Sequence, residues 1–236
     1  MLMFCMTGVC CASINAQDRP VENYLQKTGD YADIYNGKME ANYSPLLYKS
    51  LPYYYSSNFT DASIIYRNNY YPNQKVRLDL FKEQLILLPA EKQFGIVLSS
   101  QNLQKVYMYN KTFVWLDPSK ESGIKAGFYM QLLDKEILQL FCKQSFNIQQ
   151  EIVTDASTNK AVAYTFSSSQ RYYLLYKERY YMVKNKNSFS KLFPQYKKQI
   201  NHFAKERKLD FKYNADESFA SLAGYCEELI TSTSKQ

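Results

Sequence analysis

The central part of the chain consists of short apolar runs separated by polar or proline-containing breaks. Residues 76–80 show the pattern most clearly, because three apolar residues alternate there with Arg77 and Asp79. Such alternation predicts a β-strand with one face on a core and the other in solvent. The regular spacing of the runs predicts an antiparallel meander of about ten strands. The runs cover residues 63–66, 76–80, 84–88, 95–98, 106–109, 112–116, 127–133, 137–141, 171–176 and 179–183.

The periodicity changes after residue 188, where apolar residues recur at spacings of three and four, as on an amphipathic helix. Pro194 predicts a short turn up to Phe193 and a new helix that begins at the proline. Two short helices cannot bury their apolar stripes on each other alone, so we expect segment 188–230 to pack on the dry face of the sheet. The stripes are Leu192, Phe193, Tyr196, Ile200 and Phe203, and then Phe219, Leu222, Ala223, Cys226 and Ile230.

These patterns together predict an α+β fold that is mostly β. The meander is expected to form an open barrel or a sandwich, with two C-terminal helices packed on it. The polar stretch 143–160 is expected to be a long loop or an extended edge.

The first fourteen residues contain no charged side chain and are followed by Asn15, Ala16 and Gln17. This arrangement predicts an export signal over residues 1–16, cleaved after Ala16, and a single domain over residues 17–236. The alternative is a buried N-terminal helix or strand. No later segment approaches the roughly 18 apolar residues of a membrane helix. The expected location is therefore the periplasm, the outer membrane surface or the extracellular space.

Tyrosine is unusually frequent, with 23 residues in a chain of 236. Tyr53, Tyr54 and Tyr55 form the longest run, and their neighbours predict a loop. Outward tyrosine rings could form a platform on which a sugar or a partner protein stacks. The alternative is that exposed tyrosines only make cross-strand pairs on a solvated sheet.

Positive charge is concentrated towards the C-terminus. Residues 171–212 contain twelve Lys or Arg against three acidic residues, a net charge of +9, whereas the whole chain carries +7. Such asymmetry favours an anionic partner, and Lys191, Lys197 and Lys198 are the candidate binding residues. Lipid headgroups, acidic glycans and envelope proteins are the expected classes, while nucleic acid is the least expected because no nucleic-acid motif is present. The alternative is an ordinary solvated helix face.

Residue types that support catalysis are sparse. His202 is the one histidine, and no nucleophile elbow or phosphate-binding glycine loop occurs. Cys142 and Cys226 lie 84 residues apart, so no Cys-x-x-Cys motif can bind zinc or do redox work. We expect these two to be buried free thiols, with a disulfide as the alternative. No cofactor or metal is indicated.

Carboxylates could still support glycoside hydrolysis, which uses a pair of acidic residues. The candidates are Asp79, Glu83, Asp134 and Glu136, but their sequence contexts read as ordinary turns between strands. A non-enzymatic binding or envelope-associated module is therefore the preferred prediction. A carboxylate-based glycan hydrolase and a structural partner of an envelope complex are the alternatives.

Several stretches carry a resemblance to known proteins: residues 76–85, 113–116, 127–129, 172–174, 180–181 and 190–194, the last being Ser-Lys-Leu-Phe-Pro, with Lys197-Lys198 after it. They resemble one family of exported, single-domain proteins of unknown function from the Bacteroidota. The resemblance covers most of the mature chain, and its motifs are structural. It implies a fold and export, with no activity attached. One departure is Asn110-Lys111-Thr112, where the family pattern has a Gly-His pair before an aromatic strand.

Overall fold

The computed structural model describes residues 33–117, 123–153 and 161–233. Within these residues, eleven strands form one open antiparallel sheet in the order β1-β5-β4-β3-β2-β6-β7-β8-β9-β10-β11. The mostly β, α+β fold predicted from the sequence is confirmed. The strands are β1 Lys38–Met39, β2 Thr60–Tyr66, β3 Asn69–Asp79, β4 Gln84–Leu87, β5 Ile96–Leu98, β6 Leu103–Met108, β7 Lys111–Leu116, β8 Gly127–Asp134, β9 Leu138–Val153, β10 Ala161–Tyr176 and β11 Arg179–Val183.

Two-residue turns join three pairs of consecutive strands, β2 to β3, β6 to β7 and β10 to β11. Both residues of each turn have a positive φ, between 48° and 62°. That conformation matches the right-handed twist of the flanking strands and is typical of tight hairpins. The residues are Arg67 and Asn68, Tyr109 and Asn110, and Lys177 and Glu178.

Strand β3 passes through Pro72, although proline interrupts a strand pattern in the sequence. The pairing of β2 with β3 shifts at this point, because Ala62 pairs with Gln74 and Ile64 with Tyr71. One residue of β2 therefore faces both Pro72 and Asn73, which is the arrangement of a β-bulge. The bulge gives the proline a position in the strand that requires no backbone donor.

The sheet curls strongly along its strand order. Four residues join β5 to β6, yet β4, β3 and β2 lie between these two strands in the sheet. Strands four positions apart in a flat sheet would be separated by about 19 Å, which is close to the full reach of the connecting residues. The turn after β3 likewise contacts β10, with the ring centroids of Phe81 and Phe166 5.0 Å apart. The sheet is thus two meanders, β2–β5 and β6–β11, joined along β2 and β6.

Three helices follow the sheet and pack on one of its faces. They are α1 Lys186–Leu192, α2 Lys197–Glu206 and α3 Ala215–Thr233, with a 3-10 turn Pro194–Tyr196 between the first two. Phe193 stacks edge-on against Tyr176 at 5.3 Å, and Phe219 stacks against Tyr172 at 4.2 Å. Both phenylalanines belong to the same buried cluster as the strand residues. The predicted docking of the helical segment on the sheet is confirmed.

The hairpin of β9 and β10 is far longer than the sequence predicts. Its two strands pair without interruption from Val153 and Ala161 to Leu138 and Tyr176. The prediction of a loop over 143–160 is therefore wrong for residues 143–153, which continue β9. An extended edge, the other expectation, is correct for them. The outer part of β10 also pairs in parallel with a preceding segment, through Tyr48 and Tyr164.

Candidate functional site

The three consecutive tyrosines at residues 53–55 lie in very different surroundings. The Tyr53 side chain is buried, and its hydroxyl donates a hydrogen bond to Glu40 at 2.9 Å. Tyr54 is half-buried, with its ring edge-on to Phe113 at 4.7 Å. Tyr55 alone is open to solvent, at 83% exposure, beside the ring of Tyr109. A ligand could therefore stack on Tyr55, whereas the other two rings are occupied by contacts within the chain.

A buried ion pair lies beneath Tyr53. The guanidinium of Arg77 contacts the Glu40 carboxylate at 2.5 Å, and Glu40 is 6% exposed. Arg77 also lies 4.7 Å from the Tyr53 ring centroid and 4.5 Å from that of Phe59. Burial and the nearby Glu40 carboxylate raise the pKa of Tyr53 above its ordinary value. The charged and aromatic groups of this cluster contact one another, so the cluster has a structural role: it fixes the segment around Glu40 to β3.

Asp79 is the centre of a second polar cluster at the end of β3. Its side chain accepts hydrogen bonds from the Tyr43 hydroxyl at 2.8 Å and from the backbone N–H groups of Phe81 and Lys82 at 2.9 and 2.8 Å. Burial and the bond to Asp79 raise the pKa of Tyr43. Asp79 is 1% exposed, and three donors satisfy it. This geometry shapes the β3–β4 turn and leaves no open face for an acid/base role.

The sheet splits between β8 and β9, and Glu83 fills the split. Backbone pairing of the two strands stops at Met130 and Cys142. Beyond that point the N–H of Phe128 donates to Glu83 at 2.7 Å, and the carbonyl of Phe128 accepts from the Lys143 ammonium at 3.0 Å. Lys143 and Glu83 are also bonded directly to each other. The Glu83–Lys143 ion pair thus takes the place of one backbone hydrogen-bonded pair between β8 and β9.

Two features define the electrostatics and the space of this split. Burial raises the pKa of Glu83 and lowers that of Lys143, and the attraction between the two groups opposes both shifts. Gly127 approaches them closely, because a Cβ atom there would lie 2.5 Å from the Lys143 Nζ and 2.7 Å from a Glu83 oxygen. Its φ of 148° also disfavours any other residue.

The cysteines are free and buried, in agreement with the expectation from the sequence. Burial raises the pKa of each thiol to about 12, so neither is a thiolate near neutral pH. Cys142 lies close to Tyr172, whose hydroxyl donates to Asp216 at 2.8 Å. The two cysteines behave as small core residues.

The remaining titratable candidates are at the surface. Asp134 pairs with Lys105 at 2.9 Å, and Glu136 is exposed in the β8–β9 turn. His202 is exposed on α2, 3.7 Å from Glu206 on the same helix. Among the described residues, no group of three or more His, Cys, Asp or Glu side chains could hold a metal ion.

The cations of residues 184–212 all lie at the surface. Between residues 184 and 212 there are nine Lys or Arg and two acidic residues, and each of the nine is exposed. Lys191 lies on α1, and Lys197 and Lys198 begin α2. Lys198 and Lys205 are seven positions apart, almost two helical turns, and project from the same side of α2. The nine are Lys184, Lys186, Lys191, Lys197, Lys198, Lys205, Arg207, Lys208 and Lys212.

Some structural residues were not evident from the sequence. Glu40 and Arg77 are 37 residues apart, and no local pattern relates them. The position of Lys143 could have indicated a buried charge, because this lysine directly follows the apolar run that ends at Cys142. The processing residues Ala16 and Gln17 lie outside the described residues.

Comparisons of the chain with protein-family models, with curated proteins and with solved structures found no match. Across the described ranges, no helix combines the length and apolar character needed to cross a membrane.

Proposed function

We propose that this protein is an exported, non-enzymatic binding module whose basic helical face holds it against an anionic membrane surface of the cell envelope. None of the nine exposed cations between residues 184 and 212 makes an ion pair with a described carboxylate. Unneutralised positive charge on one segment attracts an anionic partner.

The cations of the sheet contrast with those of the helices. Arg77 and Lys143 are buried in ion pairs, and the surface residues Lys49, Lys75 and Lys105 each contact a carboxylate. The sheet and its connecting segments therefore neutralise part of their positive charge in ion pairs, whereas none of the nine cations of the helical segment makes an ion pair with a described carboxylate, although Glu206 and Asp210 lie among them. This difference supports an external anion for the helices.

The distribution of the cations favours an extended partner over a small ligand. The cleft beside α1 is lined by one of the nine exposed cations, Lys191. The cleft between α2 and α3 is also lined by one of the nine, Arg207. A partner that engages several cations must therefore cover a broad surface. A membrane with anionic headgroups does so, and each Lys or Arg near such a surface contributes about 1 kcal/mol.

The non-enzymatic part of the proposal has separate support. Asp79 is saturated by three donors, Glu83 is held by Lys143, and Asp134 is paired with Lys105. A glycosidase needs one carboxyl group to donate a proton and another to act as nucleophile or base. These carboxylates serve the fold instead, which favours binding over hydrolysis.

The membrane proposal is tested by sedimentation with lipid vesicles. The variant Lys191→Ala/Lys197→Ala/Lys198→Ala should bind vesicles containing phosphatidylglycerol about 100-fold more weakly than the unaltered protein, because three surface charges are lost. Lys75→Ala/Lys125→Ala/Lys135→Ala removes the same formal charge outside the helical segment and should bind nearly normally. Binding should also weaken steeply with added salt. Equal losses in both variants, or equal binding to neutral phosphatidylcholine, would contradict the proposal.

Export is tested separately by N-terminal sequencing. The uncharged start and the Ala16-Gln17 junction motivate the expectation that protein recovered from the envelope of a Gram-negative host begins at Gln17. An intact Met1 on protein recovered from the cytoplasm would show that the segment is not an export signal.

A further inference from the structure

A groove of about 600 Å³ lies at the β1 edge of the sheet. Strand β1 pairs with β5, and the chain then leaves this edge and crosses towards β3, where Glu40 meets Arg77. Three residues further on, Tyr43 meets Asp79 at the end of β3. The groove borders this crossing segment at Ala41. Its volume falls within the range of small-molecule sites.

The register of the strands decides which side chains share the face of the sheet beside the groove. Lys38 of β1 is paired with Val97 of β5, which is paired in turn with Ile86 of β4. Ile86 is paired with Arg77 of β3. Paired residues project from the same face of a sheet, and Arg77 contacts Glu40. This row of side chains therefore lies on the face that the crossing segment covers.

The strand side chains that line the groove on this face are mainly polar. Gln84 begins β4 and Ser99 directly follows β5 in an extended conformation, each two positions from a member of the row. Side chains two positions apart share a face, so both belong to the groove. Met39 and Leu98 occupy the alternate positions and project to the core face. Val97 thus supplies the apolar strand side chain on the groove face, and its polar neighbours favour a polar ligand.

The charged residues that line the groove, Lys38 and Lys82, are both cations. Neither makes an ion pair with a described carboxylate. The carboxylates of the crossing region are already bonded, since Glu40 is held by Arg77 and Asp79 accepts from three donors. The positive charge of the groove is therefore available to an anionic ligand.

Lys82 is held in place before any ligand arrives. Its ammonium donates to the Ala41 carbonyl at 2.5 Å and lies 4.0 Å from the Tyr43 ring centroid. An ammonium has three N–H donors, and this bond uses one of them. A positioned cation can bind a carboxylate through its remaining donors with little further loss of side-chain freedom.

The uncharged polar lining residues ask for a second kind of group in the ligand. Asn36 and Gln84 each carry an amide that both donates and accepts hydrogen bonds, and Ser99 carries a hydroxyl that does the same. The Ser99 hydroxyl is not used to cap the 3-10 turn that follows it. Hydroxyl groups of a ligand complement such a lining, because each of them can donate and accept. A ligand with carboxylates alone would leave the donors and acceptors of this lining poorly matched.

We infer that this groove binds an acidic sugar, a short uronate whose carboxylate accepts hydrogen bonds from Lys82. Lys38 supplies a second cation to the same ligand. The sugar hydroxyl groups bond to the amide and hydroxyl side chains of the lining. Charge complementarity selects the carboxylate, and the polar lining selects the hydroxylated ring. This ligand site is independent of the membrane-binding face proposed for the helices, because none of its residues belongs to the basic segment.

Calorimetric titration with digalacturonate tests the inference. Two probes separate the parts of the ligand: cellobiose keeps two sugar rings without charge, and succinate keeps two carboxylates without sugar hydroxyl groups. Digalacturonate should bind one equivalent saturably and at least about tenfold more tightly than either probe, because only digalacturonate satisfies both the ammonium groups and the polar lining. Equal affinity for cellobiose or for succinate, or the absence of saturable binding, would overturn the inference.

Three variants locate the site. Lys82→Met should weaken digalacturonate binding about tenfold, because a charge-assisted hydrogen bond is lost. Ser99→Trp places a large ring in the groove from an exposed position after β5 and should abolish binding without changing the melting temperature. Lys135→Met, which removes an exposed lysine from the β8–β9 turn, should have no effect. Binding that survives Ser99→Trp in a folded protein, or an equal loss in Lys135→Met and Lys82→Met, would place the ligand elsewhere and overturn the inference.

Discussion

The two halves of the β9–β10 hairpin share one continuous ladder but differ in what covers them. In the proximal half, residues 138–142 and 172–176, Leu138, Leu140 and Leu174 are fully buried against the rest of the core. In the distal half, residues 143–153 and 161–171, every side chain from 147 to 152 is exposed. Backbone pairing is continuous through both halves, whereas the helices pack on only the proximal one.

The distal half has an amphipathic pattern of its own. Ile152 pairs with Val162, and Ile148 pairs with Phe166, so their side chains share one face. The opposite face holds Glu151, which contacts Lys49 at 3.1 Å. The proximal half therefore belongs to the global core, while the distal half depends on local pairing and on the segment around Tyr48.

The largest expected effect is in the proximal half. Phe219 on α3 is 1% exposed and stacks on Tyr172 with Phe211 and Phe189 around it. Phe219→Ala should lower the free energy of unfolding by about 4 kcal/mol, because it leaves a cavity between helix and sheet. Denaturant unfolding followed by circular dichroism measures it.

Ile152→Ala is the matched control in the distal half. Ile152 is 73% exposed, so its truncation should change the free energy of unfolding by less than about 0.5 kcal/mol. Equal costs for the two variants would show that the distal half is part of the global core and would remove the distinction between the halves.

A smaller effect is expected at the boundary between the halves, where Lys143 meets Glu83. Lys143→Met should cost about 3 kcal/mol at neutral pH, because it leaves the Glu83 carboxylate buried without a counter-charge. The loss should be measured by denaturant unfolding at several pH values.

The pH dependence of this loss has a definite sign. Burial raises the pKa of Glu83 in the folded state above its ordinary value of 4.5. The penalty of Lys143→Met is therefore full above the folded-state pKa and disappears as the pH falls below 4.5, where the carboxyl is protonated in both states. A penalty that is constant across this range would show that lost packing, and not an unpaired charge, explains the variant.

The sequence predicted the elements in which the spacing of apolar side chains reflects the burial of one face. Residues 76–80 alternate between apolar and charged, and the structure has a strand there. The helical stripe that contains Phe193 and Phe219 also lies where the spacing places it. The distal half of β9 is harder to recognise, because Phe146, Ile148 and Ile152 alternate there with polar residues but Gln150 interrupts the pattern. Strand β1 has two residues, too few for any pattern.

The polar clusters were beyond sequence reasoning for a different reason. Tyr53 and Tyr55 are two positions apart and chemically identical, yet one is buried on Glu40 and the other is exposed. The crossing of residues 40–43 over the sheet decides this, and it depends on partners far along the chain. The basic segment was evident from composition, but the finding that no described carboxylate pairs with its cations required the structure.

Two contacts that close the curled sheet determine how freely the number of strands between them can vary. Glu83 and Lys143 close a loop of 60 residues, and Ser50 and Phe166 close one of 116 residues. The entropy of loop closure rises only with the logarithm of length, so a doubling costs about 0.6 kcal/mol. Strands added to or removed from the intervening meander would therefore change this cost little. The two contact points, and not the number of strands between them, are what a variant of this architecture must preserve.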